Sequence, residues 1–225
     1  MKLFSIFALV AVSFCLTSLQ AQPASIEIGG AVVPIRVLAQ SPADTMTDLQ
    51  VICLFRSSPV NTLHGSLVEA NEKLKGLLDR VRKPELFRGD LGETLLITPP
   101  SGSLAAKKLL LIGLGNSQDF APQRMQLVGE IVYTESTRVG VAQPYFAPTI
   151  LDGGVTKFAT GEVAEQVIAG FLRAADIEKM VRGENASGRI MVAGLTYLAG
   201  PKNMESTRAG IEKAIGAAVK TQEAR

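Results

Sequence analysis

The residues best placed to do chemistry are Gly113-Leu114-Gly115-Asn116-Ser117, which follow directly on the aliphatic run at 109–112. A glycine turn delivered by a strand can aim backbone N–H groups at an anion, above all where a helix starts behind it. Gly113, Gly115, Asn116 and Ser117 therefore form a hypothetical anion site, suited to a phosphate-bearing ligand. The stretch lacks the third glycine of a dinucleotide fingerprint and the Lys-Ser/Thr of a phosphate-cradling nucleotide loop.

Other reactive residue types are isolated. His64 is the only histidine, has no evident orienting partner, and reads as a surface or capping residue. Cys53 lies inside the apolar run 49–55 and reads as a small buried hydrophobe rather than a reactive thiol. Asp90, Glu93 and Asp152 stand singly in loops, with no His/Asp/Glu cluster at metal-ligand spacing. The serines sit in no Gly-x-Ser-x-Gly frame. No catalytic residue, metal or cofactor is expected. Asn185-Ala186-Ser187 matches a glycosylation sequon that matters only in a eukaryotic secretory pathway.

These residues need a scaffold, and the pattern predicts one. Two short strands fall within 26–38, with Gly29-Gly30 between them as a turn or bulge, and a buried strand covers 48–55. Threefold and fourfold spacing of Leu63, Leu67, Ala70, Leu74, Leu77, Leu78 and Val81 predicts one amphipathic helix over 59–83, stopped by Pro84. A strand near 95–98 returns through Pro99-Pro100-Ser101-Gly102 to the strand at 107–113, which makes the two antiparallel neighbours. That second strand is apolar on both faces and is expected at the centre of the sheet.

Ser117 or Asp119 is expected to cap a helix starting near Pro122, lined by Met125, Val128, Ile131 and Val132. A strand at about 141–146, a loop at Asp152-Gly153-Gly154, a helix over 161–181, a last strand over 189–198 and a terminal helix capped by Asn203 complete the order. Alternating strands and helices give an α/β, three-layer fold with a mixed, mainly parallel sheet flanked by helices.

The 225 residues are 47% hydrophobic with a formal charge of +2 and both signs interspersed, enough for a packed core and no signal for nucleic acid. Lys2, the apolar run 3–16 and the small-polar stretch ending at Ala21 read as a secretory signal peptide. Fourteen apolar residues are short for a membrane span, so cleavage near Ala21 is favoured over an uncleaved anchor. Phe14 before Cys15 argues against a lipoprotein. The expected organisation is a signal peptide at 1–21 and one domain at 22–225, exported to the periplasm or medium and free of the membrane after cleavage.

Taken in order, the segments 48–55, Glu85 to Leu95, 107–115 with Asp119-Phe120, 163–173 and 190–218 resemble the N-terminal domain of the leucyl aminopeptidase (cytosol aminopeptidase) family, whose fold is like a macro domain. The resemblance implies an α/β, macro-domain-like fold over nearly all of the mature chain. It also implies a non-catalytic role, because in that family a C-terminal half supplies the two metal ions, and this chain stops at Arg225, where that half begins. The expected function is thus a secreted module for assembly or partner binding, with a protein partner or a homo-oligomer. Alternatives are a macro-domain-like binder of a nucleotide or phosphate-bearing ligand, for which Asp44 and Asp48 are the nearby acidic candidates, and the accessory part of a metallo-aminopeptidase whose catalytic domain is on another chain.

Overall fold

The computed structural model describes residues 22–29, 33–57, 62–83, 86–182 and 192–223. The expected signal segment 1–21, Gly30, Pro59, Pro84, the sequon at Asn185 and the first residues of the last expected strand lie outside them.

Strands β1 (Ser25–Ile28), β2 (Ile35–Leu38), β3 (Gln50–Leu54), β4 (Thr94–Ile97), β5 (Leu109–Gly113), β6 (Tyr145–Ala147) and β7 (Leu195–Leu198) form one seven-stranded sheet of order β1-β2-β7-β6-β3-β5-β4. The five inner strands run parallel, and the two edges, β1 on β2 and β4 on β5, run antiparallel. The hydrophobic run at β5 is buried at every residue, yet it lies next to the edge and not at the centre. Its apolar faces are accounted for by helices above and below, and the centre belongs to the three-residue β6.

Side-chain alternation builds two cores. Val51, Cys53, Leu110 and Ile112 point into a large cluster beneath α3 (Met125–Val139), α4 (Thr160–Arg182) and α5 (Met204–Glu223). Ile52, Leu54, Leu109 and Leu111 point the other way, against α1 (Gly65–Lys73) and α2 (Leu77–Arg82). The expected three layers are present. Helices α3 and α4 approach closely because Gly129 and Gly170 lie at their contact. A Cβ at Gly129 would stand 1.9 Å from the Val167 carbonyl oxygen, and one at Gly170 1.9 Å from that of Gln126. Tyr133 and Phe171 stack edge-to-face beside this contact at 5.3 Å.

Several boundaries differ from expectation. The single helix read over 59–83 is two helices, broken where Lys75 and Gly76 take φ of 53° and 75°. The apolar rhythm runs through the break because both pieces pack on the same cluster. The strand expected over 141–146 is confined to Tyr145–Ala147, and within the described residues the last strand covers only Leu195–Leu198. Asn203 ends a 3₁₀ turn, Pro201–Asn203, that runs straight into α5.

Candidate functional site: a cleft at the strand ends

All five parallel strands end on one side of the molecule, the side where open α/β sheets place ligands. Two of those ends are sealed. The loop from Phe87 to Glu93 lies across β3 and β5, with Gly115 N–H donating to Gly89 O at 2.8 Å and Gly92 N–H donating to Gly113 O at 3.0 Å. Gly89 has φ 79°, and a Cβ there would meet Phe55 O at 2.8 Å; a Cβ at Gly113 would meet Asp90 O at 2.0 Å. Backbone thus packs directly on backbone, which is why glycines stand at both positions. The Glu93 carboxylate fixes the loop by accepting from the N–H groups of Arg88 at 3.1 Å and Asp90 at 3.0 Å. The Arg56 Nε donates to Asp90 at 2.8 Å.

That packing decides the geometry of the expected anion site. The N–H of Gly113 donates to Glu93 O, that of Leu114 to Leu54 O and that of Gly115 to Gly89 O, all within 2.8–2.9 Å. Three of the turn's amides are therefore engaged within the chain. Neither Ser117 nor Asp119 caps the helix behind the turn, whose segments from Pro122 and from Met125 start without a side-chain capping bond; Asn116 instead caps the 3₁₀ turn Ser117–Asp119, its Oδ1 accepting from Gln118 N–H at 3.1 Å. A second 3₁₀ turn, Pro122–Arg124, leads into α3 at Met125. None of Gly113, Gly115, Asn116 or Ser117 lines the cleft described next.

The ends of β2, β7 and β6 are open and surround a cleft of about 370 Å³. Its walls come from the loops after those strands and from α1, α4 and α5, with Ile150, Phe158, Tyr197, Pro201, Ser41, Glu69, Thr149 and Asp152 among the lining residues. Ser41 donates to Glu69 at 2.8 Å, joining the loop after β2 to α1. Asp152 sits at the start of α1, where it accepts from the Ser66 hydroxyl at 2.5 Å and its carbonyl accepts from His64 N–H at 3.0 Å. A carboxylate there complements the helix dipole. His64 occupies the N-cap position without a side-chain capping bond, its Nε2 lying 3.0 Å from the Thr62 hydroxyl.

On the cleft floor, Thr149 takes φ of 48°, an unusual conformation for a β-branched residue. Burial pushes the Cys53 thiol well above its ordinary range and does the same to the Tyr197 phenol. Asp44 and Asp48, the acidic candidates for a nucleotide contact, are paired with Lys73 and Lys107 respectively. Among the described residues no group of three or more His, Cys, Asp or Glu could hold a metal ion, and no helix is long and apolar enough to cross a membrane.

No sequence motif marks this cleft, because its residues come from separate loops and helices. The usable signal was positional: the breaks at Ser41-Pro42, Pro148 and Gly200-Pro201 each follow a parallel strand.

A mixed seven-stranded sheet between helical layers, with its cleft at the parallel strand ends, defines a macro-domain-like α/β protein. The chain belongs to the cytosol aminopeptidase family: the model of that family's N-terminal domain matches residues 51–176. A probable cytosol aminopeptidase of Alkaliphilus oremlandii is 26% identical over 128 residues, which are 57% of this chain and 25% of that protein. One from Thermosynechococcus vestitus is 31% identical over 108 residues, 45% of this chain and 21% of that protein. The chain thus spans a quarter or less of the length of these relatives.

Among solved structures, a mutant tomato leucine aminopeptidase superposes with a TM-score of 0.60 at 18% identity, over 88% of this chain and 38% of that one. A mutant Oceanobacillus iheyensis macrodomain gives 0.60 at 11% identity, over 89% and 98%. The same macrodomain with ADP gives 0.52 at 10% identity, over 89% and 100%. At these identities the likeness establishes the fold.

Proposed function

We propose that the chain is an exported, non-catalytic binding and assembly module that pairs with a second copy of itself along the open edge of β4. The observation that carries this reading is the contrast between the two sheet edges. Edge strand β1 carries Glu27, paired with Arg36, a charge of the kind that discourages further strand addition. Edge strand β4, Thr94-Leu95-Leu96-Ile97, carries no charge. Leu96 on the strand is exposed, as are Leu91 in the loop before it and Leu127 of α3, and Leu127 and Ile131 of α3 both approach Gly92. An uncharged edge with an apolar flank suits antiparallel pairing of two identical strands about a two-fold axis.

Light scattering on the mature chain tests this. A dimer supports it, and a strictly monomeric protein counts against it. A peptidase role remains compatible if a catalytic domain on another chain supplies the metals, and a leucine chromogenic amide with manganese or zinc, with and without chelator, tests the chain alone; no turnover is expected. The alternative of a phosphate-bearing ligand draws support from the fold and from the position of the cleft, but the charges lining that cleft favour a different ligand.

A further inference from the structure

We infer that the cleft at the ends of β2, β6 and β7 is a binding site for a small ligand that joins a positive charge to a short apolar body. The site is separate from the β4 edge, so this inference stands independently of the assembly reading. With β3 and β5 sealed by the loop 87–93, the cleft is where the parallel strand ends stay open. Its volume of about 370 Å³ falls within the range of small-molecule sites. Ile150, Phe158 and Tyr197 supply apolar walls, and Phe158 is held edge-to-face on Phe120 at 5.6 Å.

Charge sets the ligand class. Glu69 and Asp152 are the charged residues lining the cleft, and no Lys, Arg or His lines it among the described residues. Asp152 is directed at the start of α1 through Ser66 and Gly65. Glu69 is exposed at the rim, oriented by one hydrogen bond from Ser41 to Oε2. Lys73, one turn along α1 from Glu69, is paired with Asp44 and donates to Ala43 O at 3.1 Å, and the Lys157 ammonium lies 4.9 Å from the Phe158 ring centroid. A phosphate entering the cleft meets two carboxylates without a lining cation, whereas an ammonium donates a charge-assisted hydrogen bond to Glu69.

Calorimetric titration of the full mature chain with an isosteric series tests this at neutral pH. The probes are 3-methylbutylamine (cation), 3-methylbutanol (neutral), 3-methylbutanoate (anion) and ADP-ribose. Binding of the amine at millimolar concentration or tighter is expected, with Glu69→Gln weakening it about tenfold, the loss of one charge-assisted contact. Glu69→Gln changes an exposed side chain, and an unchanged melting temperature shows that its fold is intact. Ser41→Ala, which releases Glu69 without altering charge, is expected to weaken binding less. Equal binding of amine and alcohol, preferential binding of ADP-ribose, indifference of amine binding to Glu69→Gln, or binding of none of the four overturns the inference.

Discussion

The hydroxyl of Thr149 serves both backbone polar groups of Cys53, accepting from its N–H at 3.0 Å and donating to its carbonyl at 2.6 Å. Cys53 needs this because β6 ends at Ala147, opposite Ile52, while β3 runs on to Leu54. A side chain thus replaces the missing strand residue, and the chain leaves the sheet in the left-handed conformation that forms the cleft floor.

Replacing Thr149 with Val keeps the shape but strands two buried backbone groups. A loss of about 2–4 kcal/mol is expected from urea unfolding, since each orphaned group costs roughly 1–3 kcal/mol. Thr149→Ser keeps the hydroxyl and removes the β-branch, so its stability is expected within about 1 kcal/mol of the parent. Equal effects of the two substitutions would refute this role of the hydroxyl.

The α3–α4 contact makes a second prediction. Gly129→Ala forces a methyl against the Val167 carbonyl, and overpacking of this kind costs about 1–3 kcal/mol. Alanine at Gly216 of α5, where a Cβ meets nothing within 4 Å, is expected to be neutral or slightly stabilising. Thermal melts of the two variants should move in opposite directions or differ clearly in size.

Alkaline pH should destabilise the fold. Burial raises Cys53 above its ordinary 9.0, and Tyr133 is pushed up to about 12 by burial first and its hydrogen bond with Glu178 second. Burial also raises Tyr197. These groups stay protonated in the fold while the unfolded chain ionises, so their contribution is fully present below about pH 9 and is lost as pH rises through the folded values. Each group in its window tilts stability by about 1.4 kcal/mol per pH unit. Urea midpoints should fall steadily above about pH 9, and Cys53→Ala should flatten the first part of that fall. A midpoint independent of pH in this range would contradict the assignment.

The proposed export predicts a defined mature end. Intact mass and N-terminal sequencing of protein recovered from the periplasm or medium should give Gln22 as the first residue. Retention of residues 1–21 in a membrane fraction would favour the uncleaved anchor.

Much of the sheet was legible because burial on both faces leaves unbroken aliphatic runs, as at Leu109–Gly113 and at Gln50–Leu54. The antiparallel placement of β4 on β5 followed from the short Pro99–Gly102 link. Strand position was less legible: β5 is as buried as a central strand, because helices and the 87–93 loop cover what its place beside an edge would expose. The break at Lys75-Gly76 was hidden by a rhythm that both helices share. The Gly113–Ser117 turn was found by its glycines, but glycine serves backbone contact and anion binding alike, and at Gly113 it meets Asp90 O. The cleft depends on Ser41, Glu69, Thr149 and Asp152 meeting from distant segments, which no local pattern encodes.

The most direct test of the assembly reading is size-exclusion light scattering of the mature chain beside Leu96→Asp and Thr94→Lys, two variants that place a charge on the β4 edge. Both positions are exposed, so both variants are expected to melt like the parent. A dimeric parent and monomeric variants are expected at the same concentration. A parent that stays monomeric, or folded variants that remain dimeric, would contradict it.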